Sequence, residues 1–143
     1  MRHLFVYSNG TINMWKNSNK NRNLLISLKV AFNGIKLSFL SERNIRIQTI
    51  AFIIVVIAGL FFQISKIEWI AVLLTSGIIL SIEILNSAIE QILDFSHPHH
   101  HKKIGMIKDV SAGAVLIISS FALLVGLIIF VPYLIDFIDL YFD

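Results

Sequence analysis

The hydrophobic and polar positions of this chain fall into blocks with distinct periods. In Leu24-Leu25-Ile26-Ser27-Leu28-Lys29-Val30-Ala31-Phe32-Asn33-Gly34-Ile35-Lys36-Leu37-Ser38-Phe39-Leu40, apolar residues recur at helical spacing, while Lys29, Asn33 and Lys36 share the other face. This pattern predicts a basic amphipathic helix over about 24–41, lying at a membrane surface. A polar cluster, Ser41-Glu42-Arg43-Asn44-Ile45-Arg46, follows, with Ser41 as the expected N-cap of the next helix. Residues 45–64 then supply an almost unbroken apolar run, close to the ~20 residues that cross a hydrocarbon core. Ser65-Lys66-Ile67-Glu68 breaks it, and Trp69 stands where an interfacial anchor is expected. A second span is expected over about 68–94 and a third over about 108–131, with Pro132 ending it and 132–143 forming a tail.

The second span is unlike the others. Glu83, Asn86, Glu90 and Asp94 are spaced by three, four and four residues, which places them on one stripe of a helix. A carboxylate at membrane depth costs at least ~2.5 kcal/mol, so such a stripe needs a compensating partner such as a metal ion. Three tasks suit it: holding a hard cation, abstracting a proton, or relaying protons through a carrier. The alternative is simple pairing of Glu83 and Glu90 with Lys or Arg between helices.

Composition agrees with a membrane protein. Hydrophobic residues are 56% of 143 and charged residues 15%, with mean hydropathy +0.78. The absence of cysteine excludes disulfides, thiolate metal sites and cysteine nucleophiles. Residues 1–23 form a polar extension without the apolar core of a signal peptide.

Charge sets the orientation. Of the 12 Lys and Arg, Arg2, Lys16, Lys20, Arg22, Lys29, Lys36, Arg43 and Arg46 precede or open the first span. Lys102, Lys103 and Lys108 lie at the second loop, and Lys66 alone on the opposite side. The N-terminus and the 95–107 loop are therefore expected in the cytoplasm. Glu42, Glu90, Asp94, Lys108 and Asp109 then share one cytoplasmic interface, where carboxylates could hold Mg²⁺ and basic groups could meet phosphate. No Walker-type or protein-kinase glycine loop is present. His97-Pro98-His99-His100-His101 reads as a solvated loop or a nucleotide contact, because consecutive loop histidines rarely all face one ion. Arg46, Asn33 and Lys36 are candidate lipid contacts.

These residues carry a resemblance. Glu83-Ile84-Leu85-Asn86-Ser87-Ala88-Ile89-Glu90, then Asp94, then Lys108-Asp109 with Ala112-Gly113-Ala114-Val115-Leu116, closely resemble the small bacterial diacylglycerol and undecaprenol kinases. Glu42-Arg43-Asn44-Ile45-Arg46-Ile47 and Ala31-Phe32-Asn33-Gly34-Ile35 resemble them too, the undecaprenol kinase branch especially.

The resemblance implies an all-α membrane protein with three transmembrane helices and an N-terminal surface helix in its 24–131 lipid kinase domain. It implies a homotrimer in the bacterial inner membrane, with active sites shared between subunits. Its activity would be ATP- and Mg²⁺-dependent phosphorylation of diacylglycerol or undecaprenol. Glu83 would be the general base, Glu42 and Glu90 the metal ligands, and Asn86 and Asp94 further active-site residues. Glu42, Glu90, His99, His100, His101, Lys108 and Asp109 would contact nucleotide. No nucleic-acid partner is expected. The competing expectation is a small proton- or cation-coupled carrier using the same acidic stripe, which would consume no ATP.

Overall fold

A computed structural model describes residues 24–97 and 101–142, and every regular element among them is helical. In chain order they are α1 (Leu24–Ser41), α2 (Arg43–Phe62), α3 (Lys66–Ser96) and α4 (Lys102–Phe142). All four are long and apolar enough to cross a membrane by length and composition. The chain divides into two units, Met1–Lys36 and Leu37–Asp143. In the first, α1 displays Leu24, Leu25, Phe32 and Ile35 as exposed side chains, with Asn33 and Lys36 exposed as well.

In the second unit, Glu42 breaks the backbone between α1 and α2. It is extended (φ −107°, ψ 125°) and occupies the N-cap position of α2 without a side-chain capping bond. The expected cap, Ser41, instead closes α1, its hydroxyl donating to the Ser38 carbonyl. Arg46 reaches back to donate to the Leu40 carbonyl at 3.1 Å, satisfying one of the acceptors that a helix end leaves open.

The α2–α3 turn is closely built. Gln63 takes the left-handed conformation (φ 52°), which ends α2 although no glycine stands there. Ser65 and Glu68 then form a reciprocal capping box that opens α3. Close packing fixes the turn: a Cβ on Gly59 would lie 3.0 Å from the Ile64 side chain and from the Trp69 ring. Trp69 is thus a packing residue of the hairpin as well as a residue near its end. Ile64, Val72 and Ile129 form the buried core, with Val55, Phe62, Val125 and Tyr133 against them.

Helix α4 passes straight through Pro132 and ends at Phe142, so Pro132 does not close it. Proline loses one backbone hydrogen bond and crowds the carbonyl four residues back, whereas breaking the helix among apolar surroundings would expose many backbone groups. The stretch beyond Pro132 is also held in place. Phe62 packs on Phe130, Tyr133 and Phe137, with ring centroids 6.4, 5.9 and 6.2 Å away. At 1.5 Å per residue, α3 and α4 are roughly 46 and 62 Å long and exceed a ~30 Å hydrocarbon core.

Candidate active site

Helix α3 turns its acidic stripe through a gradient of burial. Glu83 is only 2% exposed and Asn86 7%; Glu90 is half-buried and Asp94 exposed. Gln48 of α2 reaches the inner part of the stripe at Glu83, whereas Asp94, two residues before the end of α3, pairs with Lys108 of α4 at the surface. Ser87, buried beside the stripe, donates its hydroxyl to the Glu83 carbonyl at 3.0 Å and so satisfies itself within the helix.

Glu83 meets a partner that the acidic pattern alone does not suggest. Gln48 of α2 donates an amide hydrogen from Nε2 to Glu83 Oε2 at 3.4 Å. One turn along α3, Asn86 makes the parallel arrangement, donating from Nδ2 to Glu90 Oε1 at 3.1 Å. Each amide therefore aims its NH₂ at a carboxylate. Each leaves its carbonyl oxygen bare, since Gln48 Oε1 and Asn86 Oδ1 are buried without a hydrogen-bond partner. Buried polar atoms are almost always paired, and an orphaned acceptor costs ~1–3 kcal/mol. Two of them in one polar cluster make it a candidate site, because such groups call for an explanation.

A cleft of about 370 Å³ lies among α2, α3 and α4 and includes Gln48 in its lining. Phe52, Val55, Val72, Ile79 and Leu123 make its wall mainly hydrocarbon, with Gln48, Thr75, Ser76 and Ser119 as its polar residues.

The outer part of the stripe is organised by charge. Lys108 of α4 pairs with Asp94 of α3, bridging the two helices across the intervening loop. Asp109 is exposed beside it. His101 precedes α4 and its Nδ1 accepts from the Lys103 backbone N–H at 3.3 Å, while its carbonyl accepts from Ile104 and Gly105. That histidine caps a helix start. His99 and His100 lie outside the described residues. Glu42 is half-buried in the link between α1 and α2. Among the described residues, no three His, Cys, Asp or Glu side chains are placed together to hold a metal ion.

The structure thus joins Glu83 to Gln48, Asn86 to Glu90, and Asp94 to Lys108. It gives Arg46 a backbone partner and leaves Asn33 and Lys36 exposed on α1. Gln48 and Ser87 are the additions. An amide inside an apolar span was the available signal for Gln48; for Ser87, which bonds its own helix, there was none.

A family model for prokaryotic diacylglycerol kinase matches residues 29–130. The chain belongs to that family. Its matched relatives include an undecaprenol kinase of Bacillus subtilis, 37% identical over 94 residues that are 66% of this chain and 76% of the relative. A diacylglycerol kinase of Synechocystis is 32% identical over 115 residues, 80% of this chain and 66% of the relative. A diacylglycerol kinase of Escherichia coli is 26% identical over 87 residues, 61% of this chain and 71% of that protein. Family members are lipid kinases, and this chain is an enzyme of that kind. The carrier reading of the acidic stripe is set aside on this ground.

Proposed function

We propose that this protein transfers the γ-phosphoryl group of ATP to the hydroxyl of a membrane lipid, with Glu83 as general base. The observation that supports it is a carboxylate 2% exposed, hydrogen-bonded by an amide that itself lines a largely apolar cleft. As the lipid oxygen attacks the γ-phosphorus, the lipid O–H proton passes to Glu83. The new O–P bond forms while the bond to the β-phosphate oxygen breaks, and ADP leaves. Such transfer asks the protein mainly for positioning and charge neutralisation.

The oxygen donors offered by Glu42, Asn86 and Glu90 are of the type that Mg²⁺ takes. The ion is bound through one or two carboxylates plus substrate phosphates rather than by an all-protein cage. Glu90 and Glu42 would hold it, and the bare Asn86 Oδ1 is the hard oxygen donor that suits a site of this kind. When bound, it would neutralise charge developing on the phosphates. Asn86 orients Glu90 by its hydrogen bond. Lys108 and Asp109 would contact the nucleotide with His99, His100 and His101; Lys108 must then exchange Asp94 for phosphate, two charges it meets with the same ammonium group.

The reading extends to the assembly: α1 on the cytoplasmic surface, α2 to α4 as the spans, and a homotrimer in the bacterial inner membrane sharing sites between subunits. Exposed apolar side chains on every helix, such as Ile54, Leu74 and Leu123, give both lipid and further subunits a surface to cover. The acceptor is diacylglycerol or undecaprenol, and the test compares them. Purified protein with labelled ATP and Mg²⁺ should phosphorylate at least one, the preferred acceptor having the higher kcat/KM. ATP-dependent labelling of neither would overturn the reading.

A further inference from the structure

Glu83 leaves one question open within the lipid kinase reading: what fixes which of its two oxygens receives the proton. A carboxylate on a glutamate side chain turns about three torsions, and a base must sit within ~2.6–3.2 Å of the oxygen whose proton it takes. Gln48 is placed to decide this. It stands on a different helix from Glu83 and donates to Oε2. Its backbone is held by α2, which packs on α3. Its side chain lines the apolar cleft.

The orientation of the amide is dictated by charge. With the NH₂ inward it donates to the carboxylate; turned over, it would set oxygen against oxygen. The inward orientation leaves Gln48 Oε1 buried and unpaired, so the residue satisfies Glu83 at its own expense. An apolar residue of the same size would fill the space without that cost. The retained amide is explained by what it does to Glu83.

We propose that Gln48 is the positioning residue of the base. Its N–H occupies Oε2, Oε1 of Glu83 is left to face the lipid hydroxyl, and the hydrocarbon next to that hydroxyl lies in the cleft that Gln48 lines. The cleft is at the low end of the ~300–1,000 Å³ typical of ligand sites, so it receives only the part of the lipid adjoining its headgroup.

The inference rests on the kinase reading, and the experiment separates the two. Full-length wild-type, Gln48→Met and Gln48→His proteins are assayed in mixed micelles with ATP, Mg²⁺ and either diacylglycerol or undecaprenol. Gln48→Met keeps the length and loses the N–H. Its kcat should fall about 10- to 100-fold, the scale of a misplaced reacting group, with the KM for ATP unchanged. Gln48→His keeps a ring N–H within reach and should recover most of the lost rate. Thermal unfolding and size in detergent should match wild type; if Gln48→Met does not assemble, Gln48→Leu carries the same expectation. Wild-type turnover with undiminished kcat in Gln48→Met, or a failure of Gln48→His to recover more than Gln48→Met, overturns the role of Gln48 alone. Wild-type inactivity on both lipids overturns the kinase reading and this role with it.

Discussion

The two ends of α3 are built on opposite principles. At the α2–α3 turn, polar groups are paired: Glu68 accepts from the Ser65 backbone N–H at 2.7 Å and from the Tyr133 hydroxyl at 2.9 Å. Gly59 lets Trp69 and Ile64 close to contact, and Phe62 is surrounded by rings. Around Glu83, by contrast, two amides give their hydrogens to carboxylates and keep bare oxygens, and a cleft remains beside them. The first end holds the hairpin together. The second leaves two buried acceptors, Gln48 Oε1 and Asn86 Oδ1, without a partner among the described residues, which suits the proposed site. Mutations at the two ends should therefore separate stability from rate.

The largest effect short of the base itself is expected at Asn86. Asn86→Leu removes the hydrogen bond to Glu90 and the bare oxygen together, and activity should fall about 10- to 100-fold. Unfolding temperature should hold or rise, since a buried unpaired acceptor is lost; a large fall in stability with little loss of rate would erase the contrast between the two ends. Gly59→Ala is the converse. Overpacking against Ile64 and Trp69 should cost roughly 1–3 kcal/mol in unfolding measurements in detergent, with kcat preserved.

Smaller changes sharpen the comparison. Lys108→Met should raise the KM for ATP about tenfold with a minor change in kcat, corresponding to ~1.4 kcal/mol of phosphate binding. Steady-state kinetics at varied ATP tests this, and an unchanged KM would confine Lys108 to its bond with Asp94. The least effect belongs to Tyr133→Phe, which removes one hydrogen bond from Glu68 but keeps the ring against Phe62. Its unfolding temperature should drop less than that of Gly59→Ala, with rate intact.

How far the sequence discloses all this depends on the range of the interactions. The helical stripe of Glu83, Asn86, Glu90 and Asp94 is visible as spacing, because helix geometry alone sets it. The break at Ser65-Lys66-Ile67-Glu68 is equally local, being a capping sequence. Tyr133 reaching Glu68 from 65 residues away is not, and neither is Gln48 reaching Glu83 from 35. Such pairs depend on how helices pack, which periodicity does not specify. Pro132 shows the opposite error: a local rule for ending helices gives way where apolar surroundings and the rings of Phe62 and Phe130 hold α4 continuous. The start of α2 is shifted by one residue for a similar reason. Ser41 finds an acceptor in Ser38, which leaves the extended position to Glu42.

The central claim is that the most deeply buried carboxylate is the base. Glu83→Gln keeps the shape of the side chain and a group able to meet Gln48, but it takes no proton. Lipid phosphorylation by the variant, measured with labelled ATP in mixed micelles, should fall at least ~10²-fold, the contribution of a general base, while the unfolding temperature and assembly stay those of wild type. Phosphorylation by a folded Glu83→Gln protein at the wild-type rate would contradict the account.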